Sequence, residues 1–117
     1  MYALDVIKNS ALAKQLGGPP IFHDGFLKHV SISNHQMVLE IEILAQNNPL
    51  LNHDAMVKLE LNQLKSFYLG AKDCDVHILV IHDLDIQKEP PYLHLKLESK
   101  EGYIYEAVFE TIELKKG

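Results

Sequence analysis

The strongest constraint in this chain is a run of strict alternation. Met37, Leu39, Ile41 and Ile43 are apolar, with Val38, Glu40 and Glu42 between them. Successive side chains of a strand point to opposite sides, so this spacing gives one apolar face for a core and one charged face for water. A helix would scatter the same residues around its circumference. The pattern recurs where Val57, Leu59 and Leu61 alternate with Lys58, Glu60 and Asn62, and where Leu93, Leu95 and Leu97 alternate with His94, Lys96 and Glu98.

Turn residues punctuate these runs. Phe26 to Ser33 is β-rich and is followed by Asn34-His35, a two-residue turn in which Asn tolerates positive φ. Ala45 to Pro49 breaks the alternating strand. Leu64 to Leu69 either continues the strand before it after a bend or stands as a separate short strand. Val76 to Ile81 is nearly continuous apolar sequence, as expected where both faces are covered. Alternation returns at Leu84 and Ile86, Glu89-Pro90-Pro91 closes the segment, and Ser99 to Gly102 fits a hairpin loop. Tyr103 to Leu114 reads as the return strand. Only the start differs: Leu4, Ile7, Ala11, Leu12 and Leu16 recur at helical steps, Asp5 suits a helix start, and Gly17-Gly18-Pro19-Pro20 ends the segment.

The expected architecture is therefore mainly β (α+β), one domain over residues 1–117. A helix at about 5–16 precedes an antiparallel meander at about 21–114. Its six or seven strands form a two-layer sandwich or a half-open barrel, with sequential neighbours paired. At 117 residues and 47% hydrophobic content, such a chain can bury a core without a metal or a disulfide. Cys74 is the sole cysteine, which excludes an internal disulfide and favours a reducing cytoplasm. No signal-like start and no apolar stretch of about 18–20 residues is present, so a soluble, cytoplasmic protein without a membrane span is expected.

Charge narrows the partner classes. The net charge is −5, and all eleven cationic residues are Lys. Nucleic-acid binding draws on clustered cations and on Arg for bidentate base contacts, so nucleic acid is a poor fit. A protein partner with a basic surface suits the balance better, because opposite potentials raise encounter rates. Glu40, Glu42, Glu60 and Glu98 fall on outward strand positions and form the candidate partner-binding set. The competing reading is a solvated face with Lys58 and Lys96 interleaved.

Chemistry-bearing motifs are sparse. Phe22-His23-Asp24-Gly25 pairs an imidazole with a carboxylate, which could position a water or bind a metal. Ordinary turn chemistry is the simpler account: Phe22 enters the core, Asp24-Gly25 turns the chain, and His23 bonds backbone. His29, His77 and His94 fall within strands, and three facing imidazoles would make a zinc site with an open position. No ligand spacing accompanies them, and His82-Asp83-Leu84-Asp85 lacks the Gly and distal Glu of a calcium loop. No cofactor is expected.

Phe22-His23-Asp24-Gly25-Phe26-Leu27-Lys28-His29-Val30-Ser31-Ile32-Ser33, followed by the Asn34-His35 turn and an amphipathic strand, resembles the bacterial immunity protein 50 family. Those small cytoplasmic proteins carry an F-H-D segment leading into a "v-s-i" strand. The resemblance implies neutralisation of a competitor's toxin by direct binding. It carries over Phe22, His23 and Asp24 as motif members without an assigned role. The functional expectation is a non-enzymatic protein-binding domain, monomeric or homodimeric, facing a basic toxin. Two alternatives stand beside it: a small metal-dependent enzyme using His23, Asp24 and strand histidines, and a self-associating domain whose edge strand pairs with its twin.

Overall fold

The computed structural model describes Ile7–Lys8 and residues 21–48, 50–69 and 79–117. Among them lie β1 (Ile7–Lys8), β2 (Phe26–Ser33), β3 (Gln36–Ile43), β4 (Ala55–Asn62), β5 (Ser66–Leu69), β6 (Leu79–Glu89), β7 (Tyr92–Ser99), β8 (Ile104–Phe109) and β9 (Thr111–Lys116). They form one sheet in the order β1-β9-β4-β3-β2-β6-β7-β8-β5. Every neighbouring pair is antiparallel except β1 beside β9.

The expected helix over Asp5–Leu16 is not supported. Ile7 and Lys8, inside that span, pair in parallel with Ile112 and Glu113. A backbone bonded into a ladder is not helical. So short a helix is marginal by itself, whereas the outer edge of β9 offers hydrogen bonds to any extended segment beside it. The rest of that span lies outside the described residues, as do Cys74 and His77. No α-helix occurs among the described residues; Ala45–Asn47 makes one turn of 3-10 helix. No helix there is long and apolar enough to cross a membrane.

Local chemistry sets the register. Asn34 (φ 48) and His35 (φ 60) are both left-handed, as a type I′ hairpin turn requires. That turn fixes Ser33 opposite Gln36 and carries Val30 to Leu39. Met37, Leu39 and Ile41 then face Leu61, Leu59 and Val57 across β3 and β4, and all six are buried. Ser99–Gly102 turns β7 back on β8 with Gly102 at φ 94, and Pro90-Pro91 joins β6 to β7 through a cis bond.

Besides a bulge at Lys28, between the pairs Leu27↔Ile41 and His29↔Glu40, two irregularities bend the sheet. His82 is an extra residue between the pairs Ile81↔Ser99 and Asp83↔Glu98. This bulge shifts the side-chain phase, so Ile81 and Leu84, three apart, are both buried. The second lies between β4 and β5. The ladder runs from Asn62↔Thr111 to Ser66↔Val108, four steps along one arm against three along the other. Gln63 takes up the difference at φ 55. Hydrogen bonds from Glu110 N to Asn62 O (3.0 Å) and from Lys65 N to Val108 O (2.7 Å) carry the ladder round the corner. The expected single strand Tyr103–Leu114 is thereby two strands, β8 and β9, meeting at Glu110. Leu64–Leu69 resolves into the separate strand β5. Residues of β2, β3, β4, β6, β7, β8 and β9 share one apolar cluster, with Phe109, Ile41, Leu59 and Leu97 fully enclosed.

Candidate functional site

The Phe22-His23-Asp24-Gly25 segment forms the corner where the chain enters β2. Phe22 is buried, and Gly25 N donates to Phe22 O at 2.9 Å, closing a turn whose Asp24 sits at φ 63. Gly25 is required by space: a Cβ there would stand 2.6 Å from Glu42 O and 2.9 Å from Phe22 O. Asp24 N donates to Ile81 O and Ile81 N donates to Gly25 O, stitching the corner to β6.

Side chains from distant positions converge on this corner. His23 Nδ1 lies 2.6 Å from His82 O, and since a carbonyl only accepts, the proton sits on Nδ1. The His23 and His82 rings meet edge to face at 5.8 Å. Lys100, from the β7–β8 hairpin, forms an ion pair with the Asp24 carboxylate, and His23 Nε2 stands 3.5 Å from the same oxygen. The Lys100 hydrogen bond holds the Asp24 carboxyl below its ordinary range. The charges of His23, Lys100 and His82 act in the same direction, and desolvation opposes them. Asn47 donates to His23 O at 3.0 Å.

The adjacent Asn48 is 2% exposed, and its side chain is fully engaged. Its Oδ1 accepts from Ile21 N (2.9 Å), and its Nδ2 donates to Ile21 O (3.1 Å) and Leu44 O (2.9 Å). The corner thus ties the chain ahead of β2 to β6, to the β7–β8 hairpin and to the 44–48 turn. Its imidazole and carboxylate are both committed to those links.

The two described strand histidines, His29 and His94, do not come together. His29 lies opposite Glu40 on β3, whereas His94 on β7 stands between Glu89 (3.2 Å) and Glu106 (3.3 Å). Among the described residues, no group of three or more His, Cys, Asp or Glu side chains is placed to share a metal ion.

The four candidate glutamates divide. Glu40 and Glu42 on β3 and Glu60 on β4 share the outer face of one half of the sheet, joined there by Glu113 on β9. Glu98 lies on β7 in the other half, opposite Asp83 and Ile104. Each carboxylate has a lysine: Glu40 with Lys58 (3.6 Å), Glu42 with Lys28 (3.5 Å), Glu60 with Lys115 (2.9 Å) and Glu98 with Lys96 (3.3 Å). Lys115 also bridges to Glu113 at 3.7 Å, which relieves the Glu60↔Glu113 cross-strand pair. The Glu60 carboxylate pushes the Lys115 ammonium up from its usual value, and Glu113 adds to the effect.

Sequence reasoning left Leu64–Leu69 as either a continuation or a separate short strand and did not place it at the end of the sheet. Phe67 and Tyr68 are 50% and 59% exposed, and an open groove of about 420 Å³ lies beside them, lined by Ile32, His35, Leu64, Lys65, Ser66 and Phe67. An aromatic pair in an apolar segment reads as core, and only the sheet order reveals an edge. Lys100 and Asn48 were also missed, because a hairpin lysine and a loop asparagine carry no local sign of their distant partners.

Compared with protein-family profiles, with curated proteins and with solved structures, the chain matches none.

Proposed function

We propose that this chain is a non-enzymatic protein-binding domain, an immunity-type inhibitor that occludes a basic toxin domain by direct contact. The observation that carries the reading is the outer face of β3, β4 and β9. There Glu40, Glu42, Glu60 and Glu113 stand on paired strands with fixed register. Their intramolecular partners are lysines at partly exposed positions, and pairs of that kind contribute only about 0–1 kcal/mol. A partner's Arg or Lys can therefore replace Lys28, Lys58 or Lys115 at little cost, while the −5 charge of the chain draws a basic surface toward it. The continuous corner ladder between β4–β5 and β8–β9 supports a half-open barrel, a stiff support for such a face. The engagement of His23 and Asp24 in structural links supports binding over the metal-dependent reading.

The test is affinity purification from the native host with the wild type and with Glu40→Lys/Glu60→Lys. A stoichiometric basic protein should accompany the wild type and be lost with the variant. Co-expression should protect cells from that protein's toxicity. Absence of such a partner, or equal capture by the variant, overturns the proposal.

A further inference from the structure

The outer face of β2, β3 and β4 is not uniformly charged. Phe26 on β2 lies directly opposite Glu42, and Met56 on β4 faces Glu42 from its other side. Their chain neighbours Leu27, Ile41 and Val57 are buried, so by alternation Phe26, Glu42 and Met56 point outward, where all three are half-buried. One carboxylate is thus framed by two apolar side chains. The bulge leaves Lys28 and His29 both exposed. The Lys28 ammonium stands 5.4 Å from the centroid of the Phe26 ring and 3.5 Å from Glu42 Oε1.

Ring and carboxylate together make a seat for one cation, since the negative face of the ring and the carboxylate attract the same charge. Lysine fills it loosely. A charge-assisted hydrogen bond closes to about 2.7–2.9 Å, so the 3.5 Å contact is not a tight one. An ammonium is a strongly hydrated point charge. A guanidinium is planar and less hydrated, stacks on a ring and offers a carboxylate two parallel N–H groups. We infer that this seat receives an arginine of the basic partner, which displaces Lys28; the step rests on the docking face proposed above. Phe26 and Met56 shield the new ion pair from water, as the surroundings of an interface hot spot do. The backbone is set in advance: Ile81 N donates to Gly25 O at 2.8 Å just ahead of Phe26, and Glu42 is paired on both sides. Phe26 thereby makes the face select arginine over lysine, which charge alone does not do.

Two peptides of equal charge test this: acetyl-Gly-Arg-Gly-Arg-Gly-amide and its lysine counterpart. Each is titrated to about 10 mM into isotopically labelled protein and followed by NMR. The arginine peptide should bind at least about threefold more tightly, with shifts centred on the Phe26 ring and the Glu42 carboxylate. Phe26→Leu should erase that preference. Lys28→Gln should raise affinity for the arginine peptide more than Lys58→Gln, which removes the same charge from the same face. Equal binding of the two peptides, binding of neither, a preference that survives Phe26→Leu, or shifts centred on Glu60 and Glu113 overturns the inference. Should Phe26→Leu fail to fold, the two lysine variants decide. A larger gain from Lys28→Gln supports the seat, and equal gains refute it. No host protein enters the titration, so its failure is distinct from a failure to capture a toxin.

Discussion

Replacing Asn48 by alanine should be among the most damaging single changes outside the apolar core. The side chain is 2% exposed and makes three hydrogen bonds, two to Ile21 and one to Leu44. Alanine deletes all three and strands the N–H and the carbonyl of Ile21, whereas Leu44 O keeps its bond from Asn47 N at 3.1 Å. A buried group left without its partner costs about 1–3 kcal/mol. Ile21 is 48% exposed, so water reaches part of its backbone and the sum for its two groups falls toward the low end, about 2 kcal/mol. For a chain of this length 1 kcal/mol moves the melting midpoint by about 4 °C, so the fall is about 8 °C by circular dichroism or calorimetry. Asn47→Ala is the internal comparison: its single bond to His23 O is exposed, and its loss should cost under about 1 kcal/mol. Asn48→Asp adds a pH signature. A carboxylate facing the carbonyls of Ile21 and Leu44 is disfavoured when charged, so its folded pKa would lie above the unfolded value. The folded state then binds more protons, and stability relative to wild type falls as pH rises from about 4 to 7. If Asn48→Ala melted within about 2 °C of wild type, the buried amide would not be what fixes this loop.

Gly25→Ala should destabilise by about 1–3 kcal/mol in urea titrations, because the new methyl meets the backbone carbonyls of Glu42 and Phe22, which cannot swing aside. His35→Gly should raise stability by about 0.5 kcal/mol: the strain of a left-handed residue is relieved by about 1–2 kcal/mol, and the greater freedom of unfolded glycine returns part of it. Asp24→Asn should lower the urea midpoint at pH 7 and match wild type near pH 2. The Lys100 ammonium holds the Asp24 carboxyl below its ordinary range, so that stabilisation is complete above the unfolded value of about 3.9 and disappears as pH falls through the lower folded value. Equal midpoints at pH 7 would remove the Lys100–Asp24 link from the account of this corner.

What the sequence discloses depends on whether a feature is local. Period-two alternation is local, so β2, β3, β4 and β7 stand where Val30, Leu39, Leu59 and Leu95 place them. The bends are readable only as changes of phase. Buried positions run Ala107, Phe109 and then Ile112, Leu114, and they run Ile81 and then Leu84, Ile86. The second switch marks the extra residue His82, and the first marks the corner, where the extra residue, Gln63, lies on the facing β4–β5 arm. β1 could not be foreseen: two residues pair with a strand more than a hundred positions later, and the same segment has helical spacing. At the Asp24 corner, His23 and Asp24 stand out in the sequence, but His82 and Lys100 arrive from 59 and 76 positions away, through the β2–β6 seam and the β7–β8 hairpin. For the glutamates, alternation settles which side of a strand each occupies, and only strand order separates Glu98 from the other three.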